Sequence, residues 1–150
     1  MPDIVGYWTG GSLEHIAWED NAIAFIAEGS GYYFWFSAAE YDSFHPFCWK
    51  LDGDRLTLTS IREFHFQGDD LIKPKKLANN VVCFPSDTIE LQVIRTIREG
   101  VGGREIPVLI FSQPLFYYTQ TEFGFDRSDV LEVDWHRRKI EQLKELGAWA

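Results

Sequence analysis

Phe47-Cys48-Trp49-Lys50-Leu51-Asp52-Gly53-Asp54-Arg55-Leu56-Thr57-Leu58 reads as a strand, a tight turn and a returning strand. Asp-Gly-Asp between two runs rich in aromatic and β-branched residues is a strong short-range hairpin signal, because glycine reaches the positive φ that such turns need. From Arg55 to Phe66 the chain alternates with a period of two. The neighbouring segments repeat this style. Ile4 to Gly10 reads as a strand, as does Ala22 to Glu28. Gly29-Ser30-Gly31 turns the chain into Tyr32 to Ser37. Tyr41 to Leu51 follows, and Pro46 within it suggests an edge or a bulge.

Further along, Gln67 to Asn80 is polar and contains Lys73-Pro74-Lys75-Lys76, which makes it the longest candidate loop. Strands resume at Asn80 to Phe84, Thr88 to Arg98 and Arg104 to Ser112, with the glycine-rich tip Glu99 to Gly103 between the last two. Leu115 to Phe125 reads as the last strand. The period then changes. Asp129 with Glu132 resembles a capping box, and Val133, His136, Ile140, Leu143 and Gly147 fall at helical spacing. The pattern predicts a mainly β chain, an antiparallel up-and-down barrel closed by one C-terminal helix near 129–147. No linker or repeat divides the 150 residues, so a single domain is expected.

The opening Gly6-Tyr7-Trp8 resembles the Gly-x-Trp that begins the barrel of lipocalins and other calycins. Gly29-Ser30-Gly31-Tyr32 and the Phe47 to Leu58 run are similar to bacterial lipocalin-like domains. The resemblance covers roughly the first 60 residues by motif. It implies a barrel whose first tryptophan plugs the closed end, with a small ligand held inside. Gly6, Trp8 and Gly10 also match the start of nitrobindin-type haem barrels, but the wider pattern of that family is missing, and no cofactor is expected.

The formal net charge is −9. Nucleic-acid binding needs a basic footprint, and none is present. Residues 1–50 hold Asp3, Glu14, Glu19, Asp20, Glu28, Glu40 and Asp42 against the single base Lys50. Such a surface could recruit a basic protein, so an interaction module of immunity or inhibitor type stands as the alternative to ligand binding. No basic-then-apolar leader and no long apolar run is visible, and Cys48 and Cys83 lack metal spacing. A cytoplasmic protein with two buried free thiols, no membrane span and no metal is expected.

Enzyme signatures are thin: Gly-x-Ser-x-Gly and the P-loop are both missing. Two arginines stand out instead. Alternation puts Arg62 in line with Leu56, Leu58, Ser60, Phe64 and Phe66, and Arg95 in line with Ile89, Leu91, Val93 and Ile97. A guanidinium on an inward face needs an acceptor, so the pair could clamp an anionic ligand in the barrel, much as interior arginines hold acid head groups in fatty-acid-binding calycins. The competing reading pairs each arginine with an acid such as Glu63 or Glu90, or places it at a barrel rim. His45, Trp35 and Tyr117 complete the candidate ligand-binding set. The run Tyr32 to Phe36 is apolar on both faces. Its outer face must lie under the C-terminal helix or at an interface, which raises the expectation of a homodimer.

Overall fold

The computed structural model describes residues 3–12, 19–37, 42–60, 64–67, 70–71, 88–115, 120–128 and 134–145. Ten strands fall in these segments: β1 (Gly6–Thr9), β2 (Glu19–Ile26), β3 (Ser30–Ser37), β4 (Asp42–Asp52), β5 (Arg55–Ser60), β6 (Phe64–Gln67), β7 (Asp70–Leu71), β8 (Thr88–Glu99), β9 (Glu105–Phe111) and β10 (Glu122–Arg127). One helix, α1 (Asp134–Glu145), follows. The ladder order β3-β2-β1-β10-β9-β8-β5-β4 closes through a β3–β4 pairing, so eight antiparallel strands form a barrel. The expected mainly β barrel with a C-terminal helix is the observed architecture. Closure removes most free edges, which satisfies the backbone without a second sheet.

Alternation sorts the side chains into two clusters. Trp8, Ile23, Phe25, Tyr33, Phe47, Leu56, Leu58, Leu91, Val93, Leu109, Phe111 and Phe123 fill the inside. On the outside, Tyr7, Ala22, Ala24, Tyr32, Phe34 and Phe44 pack with Phe64, Phe66, Ile140 and Leu143. The outer face of β3 is therefore covered by α1. His136, Ile140 and Leu143 form the predicted buried stripe of the helix, while Arg137, Arg138 and Glu141 are exposed. The proposed cap Asp129 lies outside the described residues.

Three boundaries differ from the pattern reading. The segment Arg55 to Phe66 is not one uninterrupted alternation. Phe47 pairs with Ser60, but Phe44 pairs with Phe64, so the register slips by one residue between β5 and β6. A one-residue slip exchanges the faces: Leu56 and Leu58 point inward, whereas Phe64 and Phe66 lie under the helix. Pro46 is not on an edge. It pairs with Tyr32 and falls between the β5-paired and β6-paired parts of β4. The last strand begins only at Glu122, and Leu115 instead enters the inner cluster from the preceding connection.

The motif at the start behaves as its chemistry suggests. Gly6 has φ 145°, and a Cβ there would come within 3.0 Å of the Arg127 carbonyl, so glycine is needed where β1 bends beside β10. Trp8 is fully buried, and its Nε1 donates to the Ile4 carbonyl at 2.9 Å. Cys48 is a free thiol but exposed, because its even position on β4 faces outward; Cys83 lies outside the described residues. No described helix is long and apolar enough to cross a membrane.

Candidate functional site

The antiparallel order puts the β2–β3, β4–β5 and β8–β9 turns at one end of the barrel, together with Ile4 and Trp8. Above that end, rings bridge the interior. Tyr33 meets Phe123 at 5.9 Å between centroids, Phe123 meets Phe111 at 5.6 Å, Phe111 meets Phe25 at 6.4 Å and Phe25 meets Phe47 at 5.7 Å. These rings come from β2, β3, β4, β9 and β10. At this level the barrel is packed across its width.

The opposite end is different. The inward positions there carry Asn21, Tyr33, Trp35, Ser43, His45, Ser60 and His65. Their common face follows from the registers Asn21 with Trp35, Trp35 with Ser43, Tyr33 with His45, and Ser43 with His65. The Tyr33 hydroxyl donates to Asn21 Oδ1 at 2.7 Å. His45 Nε2 and Ser60 Oγ share a hydrogen bond of 2.6 Å, and Ser43 Oγ lies 3.4 Å from His65 Nδ1. His45 is fully buried, and burial pulls its pKa down to about 3, so the ring is neutral near pH 7. Burial also lowers the pKa of His65. A neutral imidazole and a hydroxyl can each donate and accept, which suits a hydrogen-bonding ligand without a full charge. Leu115 reaches into the same interior cluster from the β9–β10 connection.

The sequence-predicted residues divide accordingly. His45 and Trp35 stand together on the polar interior layer, with Trp35 half-buried against the core. Arg95 has the inward register, opposite Leu109, but lies past the packed rings at the Trp8 end. Its side chain is exposed: Nη1 donates to the Asp3 carbonyl, and the guanidinium sits 5.7 Å from the Trp8 ring centre. It covers the plug of the closed end, the rim placement weighed above. Arg62 and Tyr117 lie outside the described residues.

Pattern reading missed a second place, the seam between β1 and α1. A surface pocket of about 370 Å³ is lined there by Tyr7, Thr9, Asp20, Phe36, Asp126, Arg127 and His136, among others. His136 Nδ1 lies 2.6 Å from the Tyr32 hydroxyl and its Nε2 lies 3.4 Å from that of Tyr7. Burial first, then the charges of Lys139 and Arg127, bring the His136 pKa down to about 3. Burial raises the Tyr7 phenol, and Asp126 and Asp20 push it the same way. The Asp20 carboxylate accepts from Asn21 N at 2.7 Å and from Gly11 N at 3.1 Å, while burial raises its pKa. The helical stripe already marked His136 as facing the barrel, but its tyrosine partners are 104 and 129 residues distant in the chain. Such pairings carry no local signal.

Among the described residues, no three His, Cys, Asp or Glu side chains are placed to hold a metal ion. What fold and site define together is a class: a closed eight-stranded antiparallel barrel, plugged by a tryptophan at one end and polar inside at the other. Comparison with protein-family models, with curated proteins and with solved structures gives no match.

Proposed function

We propose that the protein is a lipocalin-like binding protein that takes a small, partly apolar molecule into the polar end of its barrel. The observation that carries this reading is the layer of buried Tyr33, Ser43, His45, Ser60 and His65, with half-buried Asn21 beside it, above a core of rings and aliphatics. Stability alone favours apolar side chains at such positions, since buried polar groups cost free energy unless bonded. Binding sites instead combine apolar walls with a few convergent polar groups. Here Trp35 would supply the apolar wall, and His45 and Ser60 the polar groups. The neutrality of His45 favours an alcohol, an amide or a protonated acid over a free carboxylate. An anion clamp by Arg95 would need that side chain at the other end of the barrel. The ligand is compact, because the ring layer fills the barrel below.

Native mass spectrometry of the protein purified from cells tests this. We expect a bound mass on the wild type that is lost on denaturation and depleted in His45→Phe. Bare chain mass for the wild type under gentle conditions counts against the proposal. The seam pocket supports a second location for the same activity, because it offers open volume with Tyr7, Asp20 and His136 at its wall. A bound mass that persists in His45→Phe and disappears in His136→Phe would favour it.

A further inference from the structure

Among the described residues, no strand lies along the outer edge of β8 from residue 94 to 99, and beyond it Val101 N donates to the Ser12 carbonyl at 3.0 Å. β8 pairs with β5 only up to Gln92, and Val93 N still reaches the Asp54 carbonyl at 2.9 Å. From residue 94 to 99, β8 has a strand partner among the described residues on its β9 side alone. The direction of the unused bonds follows from parity. Gly100 N donates to the Arg104 carbonyl at 2.8 Å, so even positions of β8 bond to β9. Arg95, Ile97 and Glu99 therefore aim their backbone N–H and C=O groups at the open edge, in the same sense as Val93 N. All the large hydrophobic side chains exposed among the described residues are on this hairpin: Ile94 at 59%, Ile97 at 65% and Val101 at 36%. Edges of this kind are normally blunted by charge, proline or a bulge; residues 94–99 contain no proline and no bulge, and their charges, Arg95, Arg98 and Glu99, are of both signs.

We propose that this edge pairs with the same edge of a second copy, antiparallel, about a two-fold axis at Ile97. Charge argues for a second copy as the occupant. Pairing centred on Ile97 sets Arg95 of each chain directly opposite Glu99 of the other, giving two opposed-charge pairs on one face. Within one chain Glu99 faces Glu105 across the hairpin, a like-charge pair that destabilises when alone. The arginine of the second copy relieves it. Arg95 spends Nη1 on the Asp3 carbonyl, which leaves further guanidinium donors for the new pair. Length argues the same way. The two-fold at Ile97 uses the whole span 94–100 of each chain and stops where the β4–β5 turn of each barrel begins to cover β8. Residues 95, 97 and 99 of both chains then close a ladder, and the two Ile97 side chains meet on the axis. The interface is small, so a weak, reversible dimer is expected. This dimer does not depend on the outer face of β3, which α1 covers, nor on the ligand reading.

Sedimentation velocity of the full chain, from about 5 to 500 µM, tests the proposal. The wild type should move from one chain mass toward two as concentration rises. Ile97→Lys at this exposed site should weaken association at least about tenfold. Arg95→Glu and Glu99→Arg each place like charges at both pairs and should stay monomeric. Mixed together, they restore opposite charges at both pairs and should form a heterodimer. Circular dichroism of each variant separates a folding defect from a lost interface, and Glu99→Arg with Ile97→Lys keeps the test independent of Arg95. A wild type that remains monomeric throughout the range overturns the proposal. So does a dimer that Ile97→Lys and Glu99→Arg leave intact.

Discussion

At the scale of residues, the buried histidines make acid stability the most direct readout. His45 and His136 titrate near 6.5 when unfolded and near about 3 in the barrel, because burial disfavours the imidazolium. Between those values the unfolded chain binds more protons than the folded one. Stability should therefore be fully present above about pH 6.5 and should fall as the pH drops, by about 1.4 kcal/mol per pH unit for each histidine. Asp20 acts in the opposite sense. Its raised pKa means that the folded state holds a proton first, so its penalty eases as pH falls. His45 and His136, with His65 shifted in the same direction, outweigh the one carboxylate over most of this window. Urea unfolding between pH 7 and 4 should show the decline, and His136→Gln should flatten its slope by about 1.4 kcal/mol per pH unit. A slope unchanged by that substitution would show that His136 is not held neutral. The arginines teach a different lesson. Alternation alone placed Arg95 on the inward face correctly. It could not say how far along the barrel axis that position falls, and that distance separates a ligand clamp from a cover over Trp8.

At the scale of elements, α1 is the clearest success of pattern and the β5–β6 step its clearest failure. The stripe His136, Ile140 and Leu143 was legible because a 3.6-residue period needs no knowledge of the partner surface. Its target was legible only in part: Tyr32, Phe34 and Phe36 made both faces of β3 apolar, which left the helix and an interface as alternatives. The slip between Ser60 and Phe64 was not. A one-residue offset leaves the composition of the strand unchanged and only moves the faces, and Phe64 and Phe66 are equally apolar whichever cluster receives them. The docking of α1 gives a prediction at this scale. Leu143 is fully buried in the outer cluster, so Leu143→Ala should cost about 2–5 kcal/mol in urea unfolding. It should also increase hydrogen exchange along β2 and β3 before the rest of the barrel. A loss below about 0.5 kcal/mol, the range of ordinary surface substitutions, would mean that the helix does not anchor there.

At the scale of the whole molecule, the barrel divides into three zones along its axis. Trp8, Ile4 and Arg95 close one end, crossed rings fill the middle, and polar side chains occupy the other end. The first zone could be read from Gly6-Tyr7-Trp8, while the middle could be inferred only as an abundance of aromatics. The third was visible in part, as His45 and Trp35 on alternating positions. Its partners Asn21, Ser43 and Ser60 gave no signal of their own, because serine and asparagine are as common in loops as in sites. Convergence of separate strands is a property of closure and register, which no single segment encodes. The claim that this convergence is a binding site is tested most directly by amide-detected NMR. The protein is titrated with small alcohols, amides and acids carrying a ring or a short chain. The account predicts saturable shifts confined to Asn21, Tyr33, Trp35, His45, Ser60 and Leu115, with the Trp8 end unmoved. Shifts that leave this layer untouched, or no saturable shift with any of these compounds, would contradict it.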